Sequence, residues 1–152
     1  NPARINVPIG IKHIYTTNYA SFIVSTEDDL YGFGLCALLG NKYTIDTCDI
    51  QKIPIPGKVK LMSTSSVPRI GVITMDNKFY KWGLNITGVP TEIIHMDTSS
   101  IPPGVEIVDF SLGEQHEVVL GSNGLVYAAG YGLYVRNQVK CNVNIQTSFV
   151  TY

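Results

Sequence analysis

Apolar and polar positions along this chain alternate over short runs, and each run stops at a cluster of turn residues. Ser21-Phe-Ile-Val-Ser25, Ile70-Gly-Val-Ile-Thr74 and Glu117-Val-Val-Leu-Gly121 are three such runs, each followed by a polar turn and a second apolar run. The clearest case predicts strands over Glu117–Leu120 and Leu125–Ala128, joined by Ser122-Asn123-Gly124. Asn-Gly supplies the positive φ angles that a two-residue hairpin turn requires. No apolar pattern of helical period reaches useful length, and Gly and Pro punctuate the chain throughout. The one helical candidate, Leu35-Cys-Ala-Leu-Leu39, is a single turn before Gly40. The pattern predicts an all-β protein.

The hairpin repeats. Gly34, Gly83 and Gly130 close three copies, spaced by 49 and then 47 residues, a period typical of repeat architectures. A tyrosine stands three residues before each glycine: Tyr31, Tyr80 and Tyr127. An earlier strand matches in Lys12-His-Ile-Tyr15, Lys60-Leu-Met62 and Ile107-Val-Asp-Phe110. After each hairpin comes a longer loop and then a further extended piece, as in Asp49–Pro56 and Pro90–Met96. Their prolines suit an outer edge strand, because proline cannot donate to a sheet ladder. Four antiparallel strands per unit is the signature of a propeller blade. The chain is therefore expected to form about three four-stranded blades, an incomplete ring, with units near residues 10–56, 57–103 and 104–146. Residues 1–9 read as the outer strand of a preceding blade and 147–152 as the start of a further unit, with Val139–Ile145 as the third unit's fourth strand.

The combined motif resembles the regulator-of-chromosome-condensation repeat. Its order is a Gly-x-x-His strand entry, a turn, apolar-Tyr-x-Trp-Gly, then Asn-x-x-Gly. The third copy carries Gly113-x-x-His116 and Asn123-Gly124; the second carries Trp82-Gly83-Leu-Asn85-Ile-Thr-Gly88. No copy is complete. Thr17 and Ser66 replace the first glycine, Ala20 and Arg69 the histidine, and Phe33 and Ala129 the tryptophan. The resemblance spans nearly the whole chain and implies a β-propeller of about seven blades. It gives Gly34, Trp82, Gly83, Asn85, Gly113, His116, Gly124 and Gly130 structural roles in the repeat. The remaining blades would come from a longer chain or from other subunits.

Composition narrows the possibilities. The sequence has 152 residues, is 45% hydrophobic and only 15% charged, and its net charge is −1. Such balance leaves no electrostatic footprint for nucleic acid, and no Lys/Arg run creates a local one. No apolar stretch approaches a membrane span. Three cysteines, Cys36, Cys48 and Cys141, lack metal-ligand spacing. An odd count favours reduced thiols and an intracellular (cytoplasmic or nuclear) setting, with a Cys36–Cys48 disulfide as the alternative. Asn85-Ile-Thr87 forms a glycosylation sequon, which would matter only in a secreted protein, and its asparagine also fills a position of the repeat.

Candidate chemistry is sparse. Gly32-Phe-Gly-Leu-Cys-Ala37 matches the dinucleotide fingerprint formally, but that motif needs a long helix to hold the pyrophosphate, and Gly40-Asn41 stops one. His116 reads as structural, with its ring bonded near the hairpin. His13 and His95 have no paired ligand spacing. No nucleophile elbow, phosphate-binding loop or Cys-His signature is present. The expectation is no enzyme, no cofactor and no metal. Function then falls to the long loops Cys36–Asp49, Leu84–Val89 and Tyr131–Gln138. Lys42, Tyr43, Tyr131, Tyr134 and Arg136 are the protein-binding candidates, since Tyr and Arg are favoured at interface hot spots. A protein-interaction scaffold is the reading the residues support. The resemblance also implies a second one, guanine-nucleotide exchange on a small GTPase.

Overall fold

The computed structural model describes residues 4–40, 48–85, 87–130 and 150–151. Among the described residues twelve strands make three four-stranded antiparallel sheets. The first is β1 (Ile11–Thr16), β2 (Ala20–Ser25), β3 (Leu30–Gly34) and β4 (Cys48–Lys52). The second is β5 (Val59–Thr64), β6 (Arg69–Thr74), β7 (Phe79–Leu84) and β8 (Pro90–His95). The third is β9 (Ile107–Leu112), β10 (His116–Gly121), β11 (Val126–Gly130) and β12 (Val150–Thr151). Each sheet is a simple up-and-down meander, as a propeller blade is. A 3-10 turn over Cys36–Leu38 occupies the single predicted helical site.

The registers reproduce the repeat. Ala20, Arg69 and His116 lie opposite Gly34, Gly83 and Gly130 in their respective hairpins. Those three glycines have φ of 109°, 127° and 131°, and a Cβ on any of them would run into the backbone of the preceding loop at Tyr19, Pro68 or Gln115. The same carbonyls explain the closeness: Leu35 N–H donates to Tyr19 O at 2.9 Å and Leu84 N–H to Pro68 O at 2.8 Å. The glycine thus lets a loop carbonyl cap the strand's end.

The hairpin turn differs from the two-residue form expected. Only one residue per turn is left-handed, namely Asp28 (φ 61°), Asn77 (φ 62°) and Gly124 (φ 79°), six positions before each repeat glycine. Asp28 N–H donates to Ser25 O and Ser25 N–H to Asp29 O, both at 2.9 Å. This is the three-residue hairpin, a type I turn followed by a left-handed residue, which Asp and Asn tolerate nearly as well as Gly. Two further expectations change. Residues 4–10 form no strand. The place beside β11 is taken by Val150–Thr151, paired with Ala128 and Tyr127; Val139–Ile145, expected there, lies outside the described residues. Val150–Thr151 therefore form the outer strand of the third sheet instead of opening a new unit.

The core lies between blades, not within one. Phe22, Val24, Leu30, Leu39 and Ile53 of the first meet Val59, Met62, Ile70, Val72 and Trp82 of the second. Ile73, Phe79 and Met96 of the second meet Ile107, Phe110, Leu112, Val119 and Tyr127 of the third. Edge-to-face aromatic pairs mark both seams, Phe22–Trp82 at 6.4 Å and Phe79–Phe110 at 5.3 Å between centroids. The third blade's far face has no such cover among the described residues. Leu120 and Val126 are 38% and 44% exposed, whereas their counterparts Val24, Leu30, Ile73 and Phe79 are at most 2%.

Candidate protein-binding face

In an antiparallel meander the connections after the first and third strands emerge at one end of the blade. That end carries the turns at 17–19, 65–68 and 113–115 and the starts of the connections from third to fourth strand in all three blades, after Gly34, Leu84 and Gly130; those after Gly34 and Gly130 are the two longest between the described strands. The opposite end holds the tight hairpin turns and the links between blades. Chain topology thus puts the two longest connections at one end, while the opposite end keeps the link 96–106 between the second and third blades.

The repeat motif builds the long-loop end. Trp82 is 3% exposed, and its indole N–H donates to Leu38 O at 2.8 Å. The tryptophan of blade two thereby anchors the 3-10 turn of blade one, where Cys36, Ala37, Leu38 and Leu39 are all buried. A Cβ on Gly113 would strike the ring of His116, and Gly113 N–H donates to His116 O at 2.8 Å. Glycine is needed there because the ring lies against the turn. Where Ala20 replaces histidine, that room is taken by Thr17, whose Oγ1 accepts from Ala20 N–H at 3.1 Å. Asn85 closes its own loop: Oδ1 accepts from Thr87 N–H (3.0 Å), Thr87 Oγ1–H (2.8 Å) and Val89 N–H (2.8 Å).

Arg69, at the second blade's histidine position, works differently. Its guanidinium crosses to the third blade, donating to Gly113 O (2.9 Å), Glu114 O (3.1 Å) and Glu117 Oε2 (2.7 Å). Lys81 Nζ reaches the other oxygen, Glu117 Oε1, at 2.6 Å. The Glu117 side chain is 0% exposed, so its charge is held entirely by these two cations. The sequence reading registered Arg69 only as a lost histidine. A cation at that position beside a glutamate at a strand site filled by Ser21 and Ile70 in the other copies was the available signal.

Two exposed apolar side chains at this end also escaped the sequence reading: Tyr19 (61% exposed) and Val89 (54%). Lys42, Tyr43, Tyr131, Tyr134 and Arg136 lie outside the described residues. They belong to the connections that follow β3 and β11. The other end is lined by ion pairs. Asp29 bonds Lys58 (2.8 Å) and Lys52 (3.0 Å), and Asp76 bonds Lys78 (2.7 Å). The lysines hold both carboxyls below the usual range, Asp29 through Lys58 and then Lys52, Asp76 through Lys78 and then Thr74.

Cys36 is disulfide-bonded, which corrects the expectation of a reduced thiol at that position. The Cys36–Cys48 alternative concerns a side chain, Cys48, outside the described residues. No grouping of three or more His, Cys, Asp or Glu side chains suited to a metal occurs among the described residues. No helix there is long and apolar enough to cross a membrane.

Solved structures give the comparison. The chain superposes on yeast RCC1 (Prp20), crystallised bound to Kap60, with a TM-score of 0.71 and 17% identity over 98% of this chain. Human WBSCR16 gives 0.70 and 14% over 94%. The fold is that of the RCC1-like propeller. Prp20p from Saccharomyces cerevisiae, whose structure was reported with its binding properties to Gsp1p and histones, gives 0.64 and 12% over 93%. The chain spans 38–39% of the length of the chains in these three structures. No protein-family model matches the sequence, and no curated protein does.

Proposed function

We propose that this RCC1-like arc is a non-catalytic scaffold that binds a protein partner at its long-loop end. The observation that carries the reading is that the two longest connections between the described strands, after Gly34 and Gly130, leave from one end of mutually packed blades. Lys42, Tyr43, Tyr131, Tyr134 and Arg136 would supply contacts there, joined by Tyr19 and Val89. Structural neighbours with this fold are described as binding Kap60, Gsp1p and histones, so protein binding is compatible with the architecture. The net charge of −1 favours a protein over nucleic acid. The uncovered face around Leu120 and Val126 supports the completion of the ring by further blades, from a longer chain or from other subunits.

Amine cross-linking of the protein in its own cells tests the docking face. Cross-links to a partner should form through Lys42, while Lys52, Lys58 and Lys78, paired at the other end, should give none. Partner cross-links confined to those three lysines would overturn the assignment. The exchange-factor alternative rests on the fold resemblance. Faster release of labelled guanine nucleotide from Gsp1p on adding this protein would favour it.

A further inference from the structure

We infer that Asn85 is an acceptor for an N-linked oligosaccharide. Asn85-Ile-Thr87 is the chain's single Asn-x-Ser/Thr sequon. Of the side chain at this position the loop uses only the oxygen. The side chain's part in closing the loop is three hydrogen bonds accepted by Oδ1, beside two backbone bonds that any residue could make, so an aspartate would serve the turn equally well. The carboxamide nitrogen is left over. It has no acceptor among the described residues, and the side chain is exposed. Thr87, the hydroxyl residue of the sequon, donates its Oγ1–H to the carboxamide oxygen at 2.8 Å. The Asn85 position follows the second repeat glycine by two residues; Cys36 and Gly132 stand there in the other copies, so the architecture does not demand asparagine.

The second observation concerns the compartment. Disulfides persist in oxidising surroundings, which are also where sequons are modified, and Cys36 is disulfide-bonded. In the reaction, Asn85 Nδ2 bonds to the anomeric carbon of a lipid-pyrophosphate-linked oligosaccharide. The bond from that carbon to pyrophosphate breaks, the lipid pyrophosphate leaves with the electron pair, and one amide proton passes to a base on the transferase. The attached glycan would stand on the exposed Asn85–Val89 loop, clear of both packed seams but beside Val89, at the border of the proposed docking face.

The test is peptide mapping of the protein isolated from its own cells, after treatment with an amide-cleaving glycosidase in heavy-oxygen water. Asn85 should be converted to aspartate carrying the heavy oxygen. Thr87→Ser should retain the modification and Thr87→Ala should abolish it, although both leave Asn85 in place. Single-tryptophan emission from Trp82 would confirm that each variant is folded. An unmodified Asn85 in the wild-type peptide would overturn the inference. This readout is independent of partner binding, so the docking proposal can fail while the glycan is found, or the reverse.

Discussion

The Arg69–Glu117–Lys81 cluster offers the sharpest test of how the blades are held together. Glu117 is fully buried, Arg69 is 15% exposed, and their contact is 2.7 Å. Removing Arg69 leaves a buried carboxylate with one remaining cation and strips Gly113 and Glu114 of donors. Breaking a buried pair costs about 3–5 kcal/mol; Lys81 remains, so Arg69→Met should cost about 3 kcal/mol. Glu117→Gln should cost about the same, since two cations then lose their counter-charge. For a chain of this size that is a fall in melting temperature of about 6–12 °C. The double variant should cost clearly less than the two singles together, with a coupling of about 2 kcal/mol. The assay is urea and thermal unfolding, followed by circular dichroism and by Trp82 emission. Trp82 sits at the other seam, so coincident transitions would show that the two seams unfold as one. Single variants costing under about 1 kcal/mol, with additive effects, would refute the clamp.

Other perturbations separate the remaining interactions. Trp82→Phe removes the indole donor and leaves the buried Leu38 carbonyl unpaired, at about 1–3 kcal/mol measured by chemical denaturation. Gly83→Ala should abolish folding or nearly so, because its Cβ would overlap the Pro68 carbonyl, whereas Gly124→Ala meets nothing within 4 Å and should cost only about 1–2 kcal/mol of left-handed strain; equal losses in melting temperature would contradict this. Asp29, its pKa held down by Lys58 and Lys52, contributes stability that is present above the ordinary carboxylate range. That contribution is lost as pH falls through the depressed folded value. Asp29→Asn should therefore flatten the acid limb of the stability profile below about pH 4. The effect should stay under about 1 kcal/mol because both lysines are half-exposed, and it should shrink in high salt.

What could be read in advance was whatever depends on neighbours close in sequence. The strand-turn-strand pattern, the tyrosine and the repeat glycine belong to hairpins of local register, and they placed the blades without a structure. The turn type was misjudged because Asn123-Gly124 fits two hairpin geometries, and only Asp28 and Asn77 at the same position show that one left-handed residue suffices. Long-range effects were harder. Leu120 and Val126 carry the same apolar pattern as Val24 and Leu30, yet they are exposed because burial on a blade face is conferred by the adjoining blade. Arg69 looked like a missing histidine because its partner, Glu117, is 48 residues away, one repeat later. A substitution that abandons a local bond for one across a seam is invisible within its own copy. It becomes legible when equivalent positions of successive copies are compared for matching charge. Read that way, Arg69, Lys81 and Glu117 are one feature: the blade that lost its histidine is tied to the next through the glutamate that follows the histidine still present, His116.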